Sequence, residues 1–427
     1  MQFIKTLSYL LPLLTTTFQR CYANANNNHL KDVKTLTSGT SGLPPTIFFL
    51  VTGNIYPDGY YYVTVNLGDP PKPYEFDIDT GSHLTWVQCD APCQKCLRAP
   101  NPPYKPVTRT LVECEDPLCT AIQWPKTHHC ESPDAQCDYY LKYVDGGSSL
   151  GIVIRDPFSL QYTNGTVIKP HLAFGCGYHQ SHPNPTTRPY VDGILGLGMG
   201  KESILSQLQQ LGIIKNVVGH CLSSQRNGYL FLGDEMIPEG VVWTPMVITD
   251  ELPKRYYLGV AELYVAGVTT GKKDLRIVFD SASTYTFFTR ETVNAMIHIH
   301  YPKTWLQLEE DIRDNFHAID TVVDEEFPLS VCWRGSTPFR SNHELKHFFK
   351  PIVLSFENAQ NSWFEMDPEA YLLITKQGNA CLRIFYSDDI GDPAINLIGD
   401  ISFVDKVIIY DNVNHRIGWG PADCNSI

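Results

Sequence analysis

The chain has 427 residues, a formal net charge of −13 at pH 7, 43% hydrophobic residues and 19% charged residues. This length exceeds what one hydrophobic core usually serves, so we expect two lobes or domains, and the composition excludes a disordered chain. The acidic balance argues against nucleic acid and against anionic membrane surfaces as partners. Thirty glycines, thirty prolines and 12% aromatic residues are typical of a β-rich fold with many turns.

Residues 1–23 have the features of a secretory signal peptide. Lys5 precedes an apolar run from Leu7 to Leu14, and Cys21-Tyr22-Ala23 provides a small-x-small cleavage site. The run is too short to span a bilayer, and no later stretch reaches about 18 apolar residues. We therefore expect entry into the secretory pathway without a membrane span, and an extracellular, vacuolar or other endomembrane location.

Residues 24–55 are rich in Asn, Thr, Ser and Gly. They are interpreted either as a flexible leader or as a short propeptide whose cations, Lys31 and Lys34, cover an acidic site. Composition leaves both alternatives open.

The cysteine count favours disulfides. Thirteen cysteines become twelve once Cys21 leaves with the signal peptide, and an even number in an exported chain predicts bridges. Zinc is the alternative, because Cys93 and Cys96 have ligand spacing and His128 and His129 follow. Export and the even count favour bridges, so no metal site is predicted. Eight cysteines lie in the first half, with their connectivity open: Cys89, Cys93, Cys96, Cys114, Cys119, Cys130, Cys137 and Cys176.

The β pattern begins at Tyr61, where apolar residues alternate with polar ones and a Gly-Asp-Pro-Pro turn follows. The face predicted to be buried comprises Tyr61, Val63, Val65 and Leu67. The next strand-like run, residues 74–79, stops at the acidic turn Asp79-Thr80-Gly81-Ser82, and residues 84–87 resume a strand. Residues 89–137 are predicted to form a disulfide-stapled loop region.

A hairpin is predicted over residues 137–154, because Asp145-Gly146-Gly147-Ser148 separates two apolar-rich arms. Asn164 begins an N-glycosylation sequon that we expect in an exposed turn. The spacing then predicts a helix from Ser203 to Leu211, ended by Gly212. Its predicted apolar face consists of Ile204, Leu205, Leu208 and Leu211.

The second half repeats the design of the first. Adjacent tyrosines at 256–257 precede the turn Asp280-Ser281-Ala282-Ser283, as those at 61–62 precede Asp79. An apolar-apolar-Gly element closes each half, 117 residues after Asp79 at Gly196 and 119 residues after Asp280 at Gly399. This repeat predicts two pseudo-symmetric lobes, over residues 56–245 and 246–427, with a site in the cleft between them.

Two aspartates that face each other across a cleft would share one proton, because like charges held close cannot both ionise. The ionised carboxylate can deprotonate a water while its protonated partner donates to a carbonyl oxygen or leaving amine. Such chemistry needs no metal or cofactor and works at acidic pH. A single Asp-Thr-Gly-Ser is most simply a turn, but two copies in matching contexts favour a catalytic pair.

The neighbours of the two aspartates suit such a pair. Thr80 and Ser281 would cross-brace the two turns through their hydroxyl groups. The hydroxyls of Ser82 and Ser283 would donate to the carboxylates, and Gly81 would let backbone amides approach an oxygen closely.

Residues 76–82, Phe-Asp-Ile-Asp-Thr-Gly-Ser, look like the first active-site motif of pepsin-like aspartic proteases. Trp86 stands where that family has its characteristic tryptophan, and Tyr143 with the turn at 145–148 resembles the flap and its tyrosine. The resemblance extends from about Tyr60 to Trp419. The cysteine-rich segment, the short propeptide and Phe174-Gly175-Cys176-Gly177-Tyr178 are similar to the plant nucellin-like branch.

The resemblance implies an all-β, bilobal pepsin-like fold with a few short helices and a central cleft. It implies a secreted zymogen and a monomer, active as an acid endopeptidase on peptides or proteins. The implied catalytic residues are Asp79 and Asp280, the implied flap and substrate-binding residues are Tyr143, Trp86 and Gly146, and the implied bridges are Cys332–Cys381 and Cys221–Cys424.

Ala282 departs from the family pattern, which has glycine at this position. A methyl group beside the pair disturbs its geometry if the backbone requires a positive φ or close packing there. The alternative function is therefore a catalytically weakened or inactive relative that acts as a binding protein or inhibitor.

Overall fold

The described part of the chain consists mainly of β-strands, which confirms the all-β prediction. The structure is a computed structural model that describes residues 45–91, 99–106, 110–123, 130–132, 134–181, 191–248, 255–300, 320–327, 331–357 and 362–426. Among these residues, no helix has the length and apolar character needed to cross a membrane.

The first half contains twelve of the described strands. They are β1 (Ile47–Asn54), β2 (Tyr60–Leu67), β3 (Lys72–Asp79), β4 (Trp86–Gln88), β5 (Asp138–Lys142), β6 (Ser148–Gln161), β7 (Val167–Ile168), β8 (His171–Ser181), β9 (Gly193–Gly196), β10 (Val217–Leu222), β11 (Gly228–Leu232) and β12 (Val242–Pro245). Two short helices, α1 (Pro117–Gln123) and α2 (Ile204–Gln210), lie among them.

The second half contains the remaining described strands. They are β13 (Tyr257–Val265), β14 (Val268–Thr269), β15 (Leu275–Phe279), β16 (Thr286–Phe288), β17 (Asp320–Val322), β18 (Cys332–Arg334), β19 (Ile352–Phe356), β20 (Trp363–Met366), β21 (Leu372–Ile374), β22 (Ala380–Leu382), β23 (Ile384–Tyr386), β24 (Asn396–Ile398), β25 (Lys406–Asp411) and β26 (Arg416–Pro421). Its described helices are α3 (Arg290–His300), α4 (Asn342–Phe348) and α5 (Asp400–Phe403), with 3-10 turns at Pro368–Ala370 and Ser387–Ile390.

The described strands form three sheets. The largest has 14 strands, in the order β12-β26-β25-β10-β11-β1-β2-β3-β9-β4-β8-β6-β5, with β7 paired to β6. The second has eight, in the order β20-β19-β13-β15-β24-β16-β23, with β14 on β13, and the third is β17-β18-β22-β21. Strands β25 and β26 come from the second half but pair with β10 and β12 of the first. One sheet therefore spans the boundary predicted at residues 245 and 246.

The predicted repeat is visible in the strand register. In the first half β3 runs parallel to β9, with Ile78 opposite Leu195 and Asp79 opposite Gly196. In the second half β15 runs parallel to β24, with Phe279 opposite Ile398. Each acidic turn thus emerges beside an apolar-apolar-Gly element, and the two-lobed fold is confirmed.

Most local predictions for the first half are confirmed. The alternate residues of β2 from Tyr61 to Leu67, which were predicted to form one face, are buried. Strand β5 pairs with β6 as the predicted hairpin. Helix α2 begins after Ser203, whose side chain caps it by accepting a hydrogen bond from the Ser206 N–H. The prediction is wrong for Leu211, which follows the helix and is 56% exposed.

The flexible-leader interpretation of residues 24–55 is wrong for its last part. Strand β1 covers Ile47–Asn54 and pairs with both β11 and β2, so these residues belong to the sheet. The side chains of Ile47 and Val51 are buried in the core. The signal peptide and the rest of the leader lie outside the described residues.

Five disulfides join described cysteines: Cys89–Cys176, Cys114–Cys130, Cys119–Cys137, Cys221–Cys424 and Cys332–Cys381. Both bridges implied by the family resemblance are among them. The residues of the zinc alternative, at positions 93, 96, 128 and 129, lie outside the described residues. Within the described ranges, no three His, Cys, Asp or Glu side chains group as a metal site would require.

The Cys221–Cys424 bridge should stabilise the fold more than a short-range bridge. It closes a separation of 203 residues, whereas Cys114–Cys130 closes 16. Because loop-closure entropy grows with loop length, replacing the first pair by alanines should cost about 2 kcal/mol more of unfolding free energy than replacing the second. Denaturant titration of both double variants measures the difference, and equal losses would contradict it.

Candidate active site

Asp79 lies at the end of β3, where the strand turns into Thr80-Gly81-Ser82. Its side chain is 3% exposed. The backbone N–H groups of Gly81 and Ser82 donate to its Oδ1 at 2.8 and 3.0 Å, and the Ser82 hydroxyl donates to Oδ2. The turn thus holds both carboxylate oxygens in place.

Asp280 occupies the matching position after β15 and is 8% exposed. Its backbone N–H donates to the carbonyl of Ile398 at 3.1 Å, which fixes the turn beside β24. The N–H of Ala282 donates to Oδ1 at 3.0 Å, and the Ser283 hydroxyl donates to Oδ2 at 3.1 Å. Each carboxylate therefore accepts from the amide two residues on and from the hydroxyl three residues on.

The two turns are joined by reciprocal hydrogen bonds between buried residues. The N–H of Thr80 donates to the Ser281 hydroxyl at 3.1 Å, and the N–H of Ser281 donates to the Thr80 hydroxyl at 3.0 Å. The Ser281 hydroxyl also donates to the carbonyl of Ile78 at 2.8 Å. This cross-brace, formed by Thr80 and Ser281, fixes the two aspartates relative to each other.

Gly81 brings the two halves into close contact. A Cβ atom added at Gly81 would lie 2.7–2.8 Å from the carboxylate atoms of Asp280. The carboxylate of Asp280 therefore lies against the backbone of the Asp79 turn, and a side chain at position 81 would displace it.

Ala282 is the counterpart of Gly81 in the second turn. Neither Gly81 nor Ala282 has a positive φ. The backbone at these two positions therefore does not require the conformational freedom of glycine. Ala282 is half-buried and its methyl group lies at the surface of the cleft. Its N–H makes the same bond to Asp280 that Gly81 makes to Asp79.

The environment favours the protonated form of Asp79. Burial, and then the neighbouring charge of Asp280, raise the pKa of Asp79 to about 7, although the hydrogen bonds from Ser82 and Gly81 oppose the shift. A coupled pair of this kind titrates in two steps and holds one shared proton between them.

A third carboxyl group, which the sequence prediction missed, lies in the same region. Asp400 follows the apolar-apolar-Gly element of the second half and is 1% exposed. Burial, followed by the charges of Asp77, Asp280 and Asp79, raises the pKa of Asp400 well above its ordinary value. The sequence signal for Asp400 is its position directly after Gly399, because the equivalent position after Gly196 in the first half is the apolar Leu197.

The β5–β6 hairpin covers the pair. The Tyr143 hydroxyl accepts a hydrogen bond from Trp86 Nε1 at 2.6 Å, which holds the hairpin over the cleft floor. Gly146 has a φ of +84° at the exposed turn, where its lack of a Cβ is needed. Gly147 closes the turn by donating its N–H to Asp145 Oδ1 at 2.8 Å.

The cleft has two adjoining cavities that share Tyr143, Asp145, Ile194 and Ala282. The smaller, about 160 Å³, contains both aspartates with Gly81, Ser82 and Ser283. The larger, about 400 Å³, extends away from them past Trp86 and Asp77. The predicted dyad, brace and flap residues thus meet in one cleft, whereas Asn164 lies apart from it in an exposed turn.

The chain matches known families over both halves. Residues 61–234 match the family model "Xylanase inhibitor N-terminal", and residues 255–421 match "Xylanase inhibitor C-terminal". The chain is 37% identical over 396 residues to an aspartic proteinase of Oryza sativa subsp. japonica, covering 90% of this chain and 93% of that protein. It is 29% identical over 392 residues to "Aspartic proteinase 36" of Arabidopsis thaliana, covering 86% and 75%.

Two solved structures are similar in fold. Basic 7S globulin from soybean aligns with a TM-score of 0.63 at 14% identity, covering 90% of this chain and 98% of the globulin. The protein edgp aligns with a TM-score of 0.67 at 16% identity, covering 89% and 95%. At these identities the likeness extends to the fold alone.

Asp400 should make the fold less stable as the pH rises. A buried carboxyl with a raised pKa keeps its proton in the folded state while the unfolded chain releases it, so stability falls above the unfolded pKa of about 4. Asp400→Asn should therefore raise the free energy of unfolding more at pH 7 than at pH 3. Denaturant titrations at both values measure this, and an equal change at the two pH values would refute it.

Proposed function

Because the chain belongs to the pepsin-like aspartic protease family, we propose that it is an endopeptidase that cleaves peptide bonds at acidic pH with Asp79 and Asp280. The observation that carries this proposal is the matched pair of turns. Both carboxylates are present, both accept the same pattern of hydrogen bonds, and the cross-brace holds them together.

The proposed reaction uses a water bound between the two carboxyl groups. The ionised carboxylate removes a proton from this water as its oxygen attacks the peptide carbonyl carbon, and the protonated partner donates to the carbonyl oxygen. Collapse of the tetrahedral intermediate breaks the C–N bond: one carboxyl group gives its proton to the leaving nitrogen, and the other carboxylate takes a proton from a hydroxyl group of the intermediate. The products are one new carboxyl group and one new amine, and the pair again holds a single proton.

The flap is proposed to hold the substrate against the pair. Tyr143 borders both cavities, and its bond from Trp86 fixes where the hairpin approaches the cleft floor. An extended peptide between hairpin and dyad would be positioned for attack, which lowers the entropic part of the barrier.

A binding protein or inhibitor on the same scaffold is the second candidate. Two observations favour it: the family models carry the description of a xylanase inhibitor, and Ala282 replaces the family glycine. Against it stands the geometry at Ala282, whose backbone needs no positive φ and whose N–H still bonds to Asp280. This geometry supports the enzyme as the first proposal.

We further propose that the protein is an exported monomer made as a zymogen, with the N-linked glycan at Asn164. Disulfides are typical of exported chains, and Asn164 is exposed in a turn. A substrate of peptide or protein character follows from the proposed chemistry.

The two aspartates should each be essential. Asp79→Asn and Asp280→Asn should lower kcat/KM for an unfolded protein substrate by about 10³-fold or more, because each removes one partner of the acid–base pair. Wild-type cleavage should also decline as the pH rises through about 7, where the pair loses its shared proton. Asp389→Asn, which removes an exposed carboxylate outside the cleft, is the control. Absence of cleavage by the processed wild-type protein from pH 3 to 7 would refute the enzyme proposal.

Positions 81 and 282 should respond unequally to exchange of glycine and alanine. Ala282→Gly should change kcat/KM by less than about threefold, because the alanine already has unstrained backbone geometry. Gly81→Ala should reduce it by about 10²-fold, because the new methyl group would displace the Asp280 carboxylate. Steady-state kinetics of both variants decide the matter. A large gain from Ala282→Gly would instead show that the wild-type methyl group impairs catalysis.

A further inference from the structure

The larger cavity of the cleft is lined by four aspartates. They are Asp58, Asp77, Asp145 and Asp192, and of the described residues that line this cavity none is Lys, Arg or His. We propose that this acidic pocket selects peptide substrates with a Lys or Arg side chain close to the scissile bond. The inference rests on the proposed endopeptidase function for the position of that bond.

Asp77 places a second carboxyl group next to the reaction centre. It precedes Asp79 by two residues on β3, so both side chains project from the same face of the strand, roughly 7 Å apart along it. Asp77 is 5% exposed and borders the acidic pocket, whereas Asp79 borders the smaller cavity. The acidic pocket therefore begins two residues along β3 from the catalytic pair.

The other three aspartates surround the pocket from separate elements. Asp145 lies in the flap turn. Asp192 precedes β9 and accepts hydrogen bonds from the backbone and side-chain amides of Asn101, at 3.0 and 2.7 Å. Asp58 accepts from Asn54 Nδ2 at 2.5 Å. These bonds restrain the three carboxylates before a ligand binds, with Asp58 and Asp145 partly exposed and Asp192 buried.

Aromatic rings complete the walls and suit the rest of a basic side chain. Those that line the pocket are Tyr56, Tyr60, Trp86, Tyr143, Tyr285 and Phe327. Arg383 already lies over Phe327 and Tyr285, 3.3 and 5.3 Å from the ring centres, and Lys376 lies 5.8 Å from the centre of the Tyr56 ring. The other rings, Tyr60, Trp86 and Tyr143, can pack against the methylene stem of Lys or Arg and attract its cationic head. The pocket thus combines an apolar channel with anionic groups, which matches the two parts of these side chains.

Three described cations lie near the pocket, and one of them, Arg226, pairs with the pocket's own Asp58. Arg226 is 3.6 Å from Asp58, and both are solvent-exposed in part. Lys376 pairs with Glu326 at 3.2 Å and is largely exposed. Arg383 is buried, and the charge of Glu326 acts on it as well. The described lining of the pocket thus has four aspartates, of which Asp58 pairs with Arg226, and no Lys, Arg or His.

Charge is distributed unequally along the cleft. The smaller cavity, at the dyad, includes two cations, Lys142 and Arg255, of which Arg255 pairs with Asp392 at 3.2 Å. A basic substrate side chain would meet cations beside the carboxylates of Asp79, Asp145 and Asp280 there, whereas the described lining of the acidic pocket has carboxylates and no cation. The preference should therefore hold on one side of the scissile bond only.

The test uses peptides that are identical except at one position, which carries Lys, norleucine or Glu in turn. The position is scanned over three residues on each side of a single cleavable bond. At pH 5.5 and low salt, kcat/KM should be at least about 10-fold higher for Lys than for Glu at one or more positions on one side, with norleucine between them. The ratio should shrink in 0.5 M NaCl, because salt screens partly exposed charges.

Variants identify the carboxylates that act. Asp145→Asn keeps the oxygen that accepts from Gly147 and removes one charge, and Asp77→Asn removes another without changing side-chain size. The Lys-to-Glu ratio should fall at least threefold in the double variant. Asp389→Asn, which removes an exposed charge outside both cavities, should leave the ratio unchanged.

A second set of the Lys, norleucine and Glu peptides separates this inference from the enzyme proposal. In this set a non-cleavable hydroxyethylene unit replaces the scissile amide. Calorimetric dissociation constants should rank Lys before norleucine and Glu even if no cleavage occurs. If cleavable peptides are processed without preference for Lys, the enzyme proposal stands and the inference is overturned. Equal binding of the three inhibitors, or a Lys preference that survives in the double variant, also overturns it.

Discussion

The cross-brace between Thr80 and Ser281 is the constraint on which the site depends. Two carboxyl groups can share a proton only if they are held close despite their mutual repulsion. Each hydroxyl accepts from the backbone of the opposite turn, so neither turn can move without breaking a buried hydrogen bond. Because an unsatisfied buried amide costs about 1–3 kcal/mol, two reciprocal bonds resist separation of the turns.

The sheet that spans the two halves supports the brace from below. Tyr410, on β25, places its hydroxyl 3.4 Å from the Thr80 hydroxyl and 3.4 Å from His220 Nε2 on β10. Burial lowers the pKa of His220 to about 3, so the imidazole stays neutral over most of the acidic range. The support beneath the dyad therefore adds no positive charge that would favour ionisation of both carboxyl groups.

The features of the fold that follow from local pattern and from repetition could be predicted from the sequence. The alternation in β2, the hairpin turn and the start of the helix at Ser203 are set by neighbouring residues, and the two acidic turns identify each other by their matched context. Leu211 was misassigned because helical spacing does not say where a helix ends. The strand β1 was missed because its eight residues pair with β2 and β11, and its neighbours in the sheet are not visible in its own composition. Asp400 and the acidic pocket depend on side chains that come from distant elements.

The two halves differ where the charge of the site is set. Gly81 and Ala282 differ by one methyl group. The position after the closing glycine is apolar Leu197 in the first half and the carboxyl-bearing Asp400 in the second. Asp77, Asp79, Asp280 and Asp400 are all buried within one region, which would be untenable if all four were ionised. The raised pKa values of Asp79 and Asp400 relieve this repulsion at acidic pH, because both groups then hold protons. Repulsion between these buried carboxyl groups is thus weakest at acidic pH. The dyad also needs acidic pH, because its chemistry requires that it hold one proton.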